Sequence, residues 1–440
     1  MPSGSENPVP NGRRAVVVGG VRTPFVKAFA EFLKLDTMAL GAAAVRGLLA
    51  RFPTARAEID AIIWGGVILP GLSPNVGREI ALDLRLDPAV EAMTVTRACA
   101  SGLQAVTLAA AAIERGEADV IVAGGSDSTS NAEVKLPQKV VHAAAPLIYG
   151  KPTPADVLGV LAQMFPLSEV LPRVPRIAER TTGKLMGESA EEMARRNEIS
   201  RAAQDELAVR SHQRAAAAIA SGRFADEVVP VEAGGRWVHS DTIVRADTSV
   251  EKLAKLKPVF AADGTLTAGN SSSLTDGGAA VLLMSEDKAR ALGLRPLARF
   301  ASWAYVGVDP ADQLLIGPAL AMPLALDRAG CALPDVDLVD MHEAFAAQVL
   351  SVLKVLDSDA FARLRLGRSA AVGRIDPERL NVHGGSLALG HPFAATGARM
   401  VTTMANELAR TGKRRALLGI CAAGGLGAAA VLENATSAGL

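Results

Sequence analysis

The chain has 440 residues, a length that allows two or three domains and a large core. Hydrophobic residues make up 49% of it but aromatic residues only 4%, so small aliphatic side chains must fill the interior. Lys plus Arg equal Asp plus Glu at 46 each, and no basic block stands out. This balance argues against a nucleic acid as partner.

The three cysteines, Cys99, Cys331 and Cys421, are an odd number, which argues against a disulfide framework. We expect free thiols in a reducing compartment. The N-terminus is polar and has no apolar core, so it predicts a disordered lead-in rather than a secretory signal. No apolar run approaches the ~18 residues that span a bilayer. Together these features predict a cytoplasmic protein.

The first part of the chain alternates strands and helices. Residues 15–20, AVVVGG, form a continuous apolar run that is typical of a strand buried on both faces. A helix is predicted at 37–49, a strand at 60–67 and a further helix at 74–84. This alternation indicates a layered α/β domain.

The next unit, residues 94–128, places Cys99 just before a small, apolar helix at 102–113. A charged turn then leads to a strand at 120–123 that ends in Gly124-Gly125. The unpaired N–H groups and the positive dipole end of a helix favour a thiolate. Cys99 is therefore a candidate nucleophile, although most cysteines are simply small buried apolar residues.

The middle of the chain differs in amino-acid composition from the parts on either side. Residues 136–182 are rich in proline and do not continue the sheet, whereas 187–222 predict two helices, with Ser200 as N-cap of the second. Residues 224–260 predict a β-rich return. The predicted division is an N-terminal half at 14–129 and 259–293, an inserted loop domain at 130–258 and a C-terminal half at 294–440.

The α/β alternation resumes in the last part of the chain. A helix is predicted at 319–330, a strand at 336–341 followed by a helix that begins at His342, and a strand–turn–strand at 413–433. The strand that leads into Cys421 resembles the one that follows Cys99. This weak internal repeat predicts two similar halves that share one crevice.

Two cysteines in glycine- and alanine-rich turns, together with His391 in a Gly-His-Pro sequence, form an unusual set. A thiol nucleophile needs a nearby base and donors for the oxyanion that it creates. Histidine supplies a base that is active near neutral pH. A second thiol, with an ordinary pKa of about 8.5, can move a proton to or from carbon or another thiol. The set therefore predicts a cysteine-dependent active site.

Seven motifs, which include Cys99, His391 and Cys421, resemble the thiolase family along nearly the whole chain. The motifs are Arg22-Thr23-Pro24, Cys99-Ala100-Ser101-Gly102, Gly124-Gly125-Ser126, residues 264–276 (GTLTAGNSSSLTD), His342-Glu343-Ala344-Phe345, residues 381–397 and Cys421-Ala422-Ala423-Gly424-Gly425. One such motif is a weak signal, but seven in the family's order are specific. The resemblance implies a duplicated thiolase fold of the α/β class, five-layered αβαβα, with an inserted loop domain that covers the coenzyme A (CoA) site.

The resemblance also implies the roles of the catalytic residues. Cys99 would accept the acyl group, and His391 would take its proton and then help to hold the thioester oxygen. Cys421 would be the acid/base that handles the proton on the acetyl carbon and activates the incoming CoA. His342 would complete the first oxyanion hole, and the backbone N–H groups of Cys99 and Ala423 would form the second.

Three further residues match family positions that contact the substrate. Ser272 matches a position near the pantetheine arm, Met186 matches one in the acyl pocket, and Phe345 is a candidate for CoA or substrate binding. We expect no permanently bound cofactor and no metal, with CoA as co-substrate, because the chain shows no metal-ligand spacing or phosphate loop. Cys331 has no polar motif around it and is predicted to be structural.

The sequence departs from the commonest family pattern in ways that narrow the prediction. His342 stands where many members have Asn, and Leu185 replaces a histidine of short-chain biosynthetic members. With the inserted segment, these features are most similar to the thiolase subunit of fatty-acid oxidation trifunctional complexes. They favour a 3-ketoacyl-CoA thiolase of β-oxidation that acts on medium or long acyl chains, and they leave a short-chain acetoacetyl-CoA thiolase working in the condensing direction open.

Two other readings come from different classes of protein. A ketoacyl synthase of the same superfamily would pair one cysteine with two histidines or with His and Asn, and Cys421 argues against it. A catalytically silent scaffold or lipid-binding subunit would not need Cys99 and His391. The expected partners are acyl-CoA and CoA, a second copy in a homodimer or tetramer, and possible association with a hydratase/dehydrogenase subunit. The apolar residues 157–174 could equally dock a membrane or partner, or cover the acyl tunnel.

Overall fold

The computed structural model describes residues 12–172 and 178–435 of the chain. Most of the predicted lead-in, and residues 173 and 174 of the apolar stretch, lie outside the described residues. Within the described ranges the chain forms two compact units. One consists of the residues up to Asn131 together with those from Ala178 onward, and the other lies within Ala132–Ile177.

The described residues form twelve strands and fourteen α-helices, besides short 3-10 and π-helical segments. The strands are β1 Ala15–Arg22, β2 Val26–Lys27, β3 Ala61–Gly65, β4 Glu91–Val95, β5 Val120–Asp127, β6 Val231–Ala233, β7 Arg236–Val238, β8 Thr275–Ser285, β9 Ala298–Gly307, β10 Leu338–Met341, β11 Arg415–Ala422 and β12 Leu426–Asn434. The helices are α1 Thr37–Arg51, α2 Val76–Asp83, α3 Ser101–Glu114, α4 Gln138–Tyr149, α5 Pro154–Gln163, α6 Met186–Arg196, α7 Arg201–Ala220, α8 Val250–Ala254, α9 Glu286–Ala291, α10 Pro318–Arg328, α11 Ala346–Leu356, α12 Asp359–Phe361, α13 Ser386–Leu389 and α14 Ala395–Thr411.

The larger unit is built on two strand arrays of the same design. In the N-terminal array the order is β1-β8-β5-β3-β4, and in the C-terminal array it is β9-β12-β11-β10. The pairings β1–β8 and β8–β5 are antiparallel and β5–β3 is parallel. The C-terminal pairings β9–β12, β12–β11 and β11–β10 repeat that series, antiparallel, antiparallel and parallel. The predicted internal repeat is therefore real, and β1 also pairs with β9.

Helices cover both arrays and fill the space between them. α3 and α14 pack against each other and form one core with residues from both arrays. α1 and α2 pack on the other side of the N-terminal array, while α10 and α11 pack on the other side of the C-terminal array. The sequence of helices, sheet, helices, sheet, helices confirms the five layers expected. The site lies where α3 and α14 begin.

Close packing of the central layer depends on residues without large side chains. Ala105, Ala109 and Ala110 of α3 are fully buried. At Gly102 a Cβ atom would lie 2.1 Å from the carbonyl oxygen of Ala394, so only glycine fits there. The high alanine and glycine content of the sequence is thus used to bring the two helices together.

Most predicted elements are found close to their expected positions. β1 is buried along its whole length, as predicted for 15–20. α1 begins after Asp36, whose side chain accepts a hydrogen bond from the N–H of Ala39 and thus caps the helix. Ser200 caps α7 as expected. β5 continues through Gly124-Gly125 to Asp127 instead of ending before them.

The prediction of a β-rich segment at 224–260 is wrong for most of its length. β6 and β7 form only a short hairpin, and α8 follows. The backbone of the segment instead makes isolated hydrogen bonds to the N-terminal part of the chain. The N–H of Arg22 donates to the carbonyl of Glu227, and the N–H of Val229 donates to the carbonyl of Arg22. Such single bonds satisfy the buried backbone without a sheet.

The smaller unit contains the helices α4 and α5 and a short 3-10 helix at Leu167–Glu169, and it contributes no strand among the described residues. Thr153 caps α5 in a capping box with Asp156. Lys139 and Glu169 form an ion pair 2.6 Å long. In the described part of the chain, no helix is both long and apolar enough to cross a membrane.

Candidate active site

Cys99 lies in a tight turn between β4 and α3. Ala98 adopts φ +45°, a left-handed conformation that L-residues avoid. The hydroxyl of Ser101 donates to the carbonyl of Ala98 at 2.6 Å, and the N–H of Arg97 donates to the same hydroxyl at 2.7 Å. These bonds hold the strained turn, so Cys99 sits at the start of α3 as predicted.

His391 lies in a loop that leads into α14. Gly390 adopts φ +99°, and a Cβ atom there would lie 2.5 Å from the side chain of Thr275, so this position requires glycine. The N–H of His391 donates to the carbonyl of Ser273 at 3.3 Å. Ring nitrogen Nδ1 lies 2.7 Å from the Thr396 hydroxyl, while Nε2 is buried and has no hydrogen-bond partner.

His342 directly follows β10, and its N–H donates to the carbonyl of Gly419 at 2.8 Å. Its Nδ1 lies 2.9 Å from the Ser386 hydroxyl, and its Nε2, like that of His391, is buried without a partner. The helix predicted to begin at His342 begins instead at Ala346. The extended link before it lets the imidazole turn inward, because a residue inside a helix would follow the helix face.

The fold brings these groups together from three distant segments. The Cys99 sulfur and one ring nitrogen each from His342 and His391 all lie within 4.8 Å of one another. The two imidazole centroids are 4.1 Å apart. Cys421, near the end of β11, lies close enough to Cys99 for a thiolate there to raise the pKa of Cys421. The four predicted catalytic residues therefore meet in one place.

Burial sets the resting protonation of all four side chains. It raises the pKa of Cys99 to about 11, against the opposing effect of the N–H groups of Ala423 and of Cys99 itself. It raises the pKa of Cys421 well above its ordinary value. It lowers the pKa of His391 to about 3 and that of His342 well below its ordinary value, and the Arg399 charge adds to both. The resting site holds neutral thiols and neutral imidazoles.

The expectation that the helix N-terminus stabilises a Cys99 thiolate is therefore wrong. The desolvation of the sulfur outweighs the nearby N–H groups, so the free energy favours the thiol. The sequence shows the helix but not the depth of burial.

The turn after Cys421 directs a backbone donor toward the Cys99 sulfur. Gly424 and Gly425 have φ +83° and +67°, values that favour glycine. At Gly425 a Cβ atom would lie 2.3 Å from the carbonyl oxygen of Val308. The turn places the Ala423 N–H on the Cys99 sulfur, beside the N–H of Cys99. Two backbone donors at one point are suited to an oxyanion.

The three residues predicted to contact substrate lie on connected segments. The N–H of Ser272 donates to the carbonyl of Ala344 at 3.0 Å, next to Phe345. Phe345 meets Phe260 edge to face with centroids 5.9 Å apart. Met186 begins α6, and the following Gly187 packs directly against the Phe260 ring. This chain of contacts ties Ser272, Phe345 and Met186 to the segment that carries His342.

Sequence reasoning missed several residues that hold the site in place. Thr396 and Ser386 contact the imidazoles directly. Asp127 accepts the N–H of Ala394 at 2.8 Å and so anchors the loop of His391 to the end of β5. Arg399 pairs with Asp340 at 2.7 Å, fully buried. Thr396 and Ser386 carried a usable signal, since both belong to the motif at 381–397 that contains His391.

Glu343 supports the site through hydrogen bonds, whereas Cys331 lies apart from the catalytic cluster. The Glu343 carboxylate accepts hydrogen bonds from Ser211 at 2.7 Å, from Asn381 at 2.6 Å and from the N–H of Leu387 at 3.1 Å. It joins the segments of both histidines. Cys331 is free, half-buried and packed at the edge of the C-terminal core, apart from the cluster formed by Cys99 and the histidines.

Comparison with known proteins gives one consistent result. The family model of the thiolase N-terminal domain matches residues 15–287, and that of the thiolase C-terminal domain matches 294–434. A 3-ketoacyl-CoA thiolase of Pseudoalteromonas translucida is 44% identical over 97% of this chain and 98% of its own length. One of Yersinia pestis is 46% identical over 96% and 97%.

Solved structures agree with the sequence relatives. The Bacillus anthracis acetyl-CoA acetyltransferase matches with a TM-score of 0.81 and 34% identity over 96% of this chain and 99% of its own. Human mitochondrial 3-ketoacyl-CoA thiolase matches with a TM-score of 0.81 and 31% identity over the same shares. The chain belongs to the thiolase family, whose members are acyltransferases.

Proposed function

We propose that the chain is a 3-ketoacyl-CoA thiolase, an acetyl-CoA C-acyltransferase that cleaves 3-ketoacyl-CoA with CoA to acetyl-CoA and a shortened acyl-CoA. The observation that carries the proposal is the convergence of the Cys99 sulfur with one ring nitrogen each of His342 and His391. The identity of 44–46% to relatives that bear this name, over nearly the whole chain, supports the same reaction.

In the first step the Cys99 thiol attacks the 3-keto carbon of the substrate. Because burial raises the pKa of Cys99 to about 11, His391 Nε2 takes the proton as the carbon–sulfur bond forms. The hydrogen bond between His391 Nδ1 and Thr396 fixes the ring for this transfer. The N–H groups of Cys99 and Ala423 stabilise the oxyanion on the former keto oxygen.

In the second step the bond between carbons 2 and 3 breaks. The acyl group stays on the Cys99 sulfur as a thioester, and the electron pair leaves as the enolate of acetyl-CoA. Protonated His391 and neutral His342 donate to the enolate oxygen. Cys421 gives its proton to the enolate carbon, which completes acetyl-CoA and leaves a Cys421 thiolate.

In the third step free CoA takes the acyl group. The Cys421 thiolate removes the proton from the CoA thiol, and the CoA sulfur attacks the Cys99 thioester. The Cys99 sulfur leaves and regains its proton from His391. Every group has then returned to its starting state, so the four side chains support the cycle with CoA as co-substrate.

The remaining assignments extend this proposal. Ser272, Met186 and Phe345 are proposed to contact the pantetheine arm, the acyl chain and the CoA, respectively. Residues 130–258 are proposed as the inserted loop domain between halves at 14–129 with 259–293 and at 294–440. Residues of this insertion, with His342, support degradation of medium or long acyl chains in β-oxidation. We propose a cytoplasmic homodimer or tetramer. A hydratase/dehydrogenase subunit is a candidate partner.

The test is turnover of a series of 3-ketoacyl-CoAs from short to long, followed by the loss of absorbance of their magnesium complexes when CoA is added. We expect turnover that increases from acetoacetyl-CoA to longer chains, with Cys331→Ala equal to wild type and Cys99→Ala inactive. Turnover of acetoacetyl-CoA alone would favour the short-chain enzyme, which the Bacillus anthracis structural match also supports. Absence of turnover with every 3-ketoacyl-CoA would favour the catalytically silent scaffold or lipid-binding subunit.

A further inference from the structure

The cluster of Cys99, His342 and His391 has the composition of a metal site as well as of a catalytic site. One sulfur and two ring nitrogens lie within 4.8 Å of one another. His342 is fully buried and His391 is 5% exposed, and in both rings Nε2 has no partner. Each Nδ1 is already held by a hydroxyl, so Nε2 is the nitrogen left for a ligand.

The spacing is close to that of a tetrahedral metal. Zinc bonds of about 2.0–2.3 Å hold nitrogen and sulfur ligands about 3.4–3.6 Å apart, so movements of about an ångström would close the cluster around an ion. Both Nε2 atoms lack a hydrogen-bond partner, so no existing bond has to break before an ion binds them. Although the atoms around the Cys99 sulfur desolvate it enough to raise its pKa, the residue as a whole is only partly buried, which leaves an approach from outside.

The donor set selects the kind of ion. In the described part of the chain no carboxylate belongs to this cluster, so Mg²⁺ and Ca²⁺, which take oxygen ligands, are disfavoured. A thiolate with two imidazoles suits Zn²⁺ and other borderline or soft divalent cations. The hydroxyls of Thr396 and Ser386 would orient the two rings, as outer partners do in metal sites.

We propose that Cys99, His342 and His391 reversibly bind one soft divalent cation such as Zn²⁺, which blocks the active site. The metal–sulfur bond forms as the Cys99 proton leaves to solvent, and two metal–nitrogen bonds form without any change of oxidation state. A fourth position stays open for water. While the ion is bound, the sulfur cannot attack an acyl carbon, so the inhibitory consequence, unlike the binding itself, rests on the proposed function.

The test uses the metal-free full chain, prepared with a chelator that is then removed, and titrated with Co²⁺ as a spectroscopic probe. We expect one Co²⁺ per chain with a near-ultraviolet thiolate-to-cobalt band that Zn²⁺ displaces and Mg²⁺ does not. Alkylation of Cys99 with iodoacetamide, or Cys99→Ala, should abolish the band. Thr396→Val should weaken binding roughly 10–100-fold. Cys331→Ala, the matched cysteine control, should bind as wild type does.

Three results would overturn the site: no band in wild type, a band that survives in Cys99→Ala, or a band that is lost in Cys331→Ala. Turnover measured in parallel separates this proposal from the proposed function. If metal-free enzyme turns over 3-ketoacyl-CoA and binds no Co²⁺, the metal site alone is wrong. If it binds Co²⁺ and turns over no substrate, the proposed function alone is wrong. We expect turnover that Zn²⁺ suppresses and a chelator restores.

Discussion

The imidazoles of His342 and His391 lie with their centroids 4.1 Å apart and their planes inclined at 42°. Each ring is held through Nδ1 by one hydroxyl, Ser386 for the first and Thr396 for the second. Both therefore present a bare Nε2 to the space around Cys99. Burial keeps both rings uncharged, so one can accept the thiol proton while the other donates to an oxyanion.

The Thr396 hydroxyl is predicted to position the base. Thr396→Val keeps the shape of the side chain but removes the bond to His391 Nδ1. The loss of a hydrogen bond worth about 1–1.5 kcal/mol should lower kcat roughly tenfold with little change in KM. Thr402→Val is the matched control, because Thr402 lies in the same helix and its hydroxyl donates to the Ala398 carbonyl instead of to an imidazole. Equal effects of both variants on kcat would contradict the positioning role.

The reactivity of Cys99 is predicted to rise with pH well beyond neutrality. Because burial raises its pKa from the ordinary 9.0 to about 11, the thiolate fraction should increase about tenfold per pH unit up to pH 10. The measurement is the rate of alkylation of the Cys99 peptide by iodoacetamide between pH 6 and pH 10. In denaturant the same peptide should level off near its ordinary pKa. A plateau in the folded enzyme near pH 7 would refute the buried thiol.

Asp127 is predicted to hold the loop of His391. Its Oδ1 accepts the N–H groups of Val67 and Ile68 and its Oδ2 accepts that of Ala394. Asp127→Asn puts an amide donor against one of these donors, so we expect kcat to fall roughly tenfold or more, from a bond loss of about 1–3 kcal/mol. Asp119→Asn, near the other end of β5, should leave kcat unchanged. An equal loss in both variants would rule out a local effect.

The same carboxyl should make stability depend on pH. Burial raises the pKa of Asp127 from 3.8 to about 7, so the folded chain binds this proton more tightly than the unfolded chain. Its contribution to stability should therefore fall as pH rises from 3.8 to about 7 and stay constant above. The check is the difference in Tm between wild type and Asp127→Asn across this range. A difference that does not change with pH would contradict the shift.

The contact of α3 with the loop of His391 is predicted to tolerate no side chain at Gly102. In Gly102→Ala the new Cβ would lie 2.1 Å from the Ala394 carbonyl oxygen, so we expect a loss of about 1–3 kcal/mol in the free energy of unfolding and a fall in kcat. Gly307→Ala is the control, because no atom lies within 4 Å of its Cβ position. Urea unfolding measures the free energy of unfolding of both variants. A Gly102→Ala variant with the free energy of unfolding of wild type would mean that the loop of His391 can move away without loss of stability.

Much of the fold could be predicted because local pattern and tertiary position agree. The continuous apolar run of β1 is buried on both faces, and the strand–turn–strand at 413–433 became β11 and β12 around Gly424-Gly425. The motifs that carry Cys99, His391 and Cys421 could be found in sequence because each needs glycine or alanine around it. Their meeting point then followed from the two repeated halves.

Other features depend on contacts that sequence does not reveal. Residues 224–260 look β-rich, yet they form one short hairpin, and residues 227, 229 and 242 bond to residues 22 and 25. Cys99 lies at a helix start, but burial and not the helix decides its pKa. Ser386 lies 44 residues from His342 in the sequence, so no local periodicity links the two. Asp340 in β10 pairs with Arg399 in α14, and this pairing depends on how the two elements pack. Burial depth and long-range partners are properties of the packed chain.

The central claim, that Cys99 carries the acyl group, is tested most directly by mass spectrometry of enzyme mixed with a 3-ketoacyl-CoA in the absence of free CoA. The account predicts an acyl adduct on the peptide that contains Cys99, released as acyl-CoA when CoA is added. An adduct on Cys421 or Cys331 in its place, or turnover with no adduct on any cysteine, would contradict it.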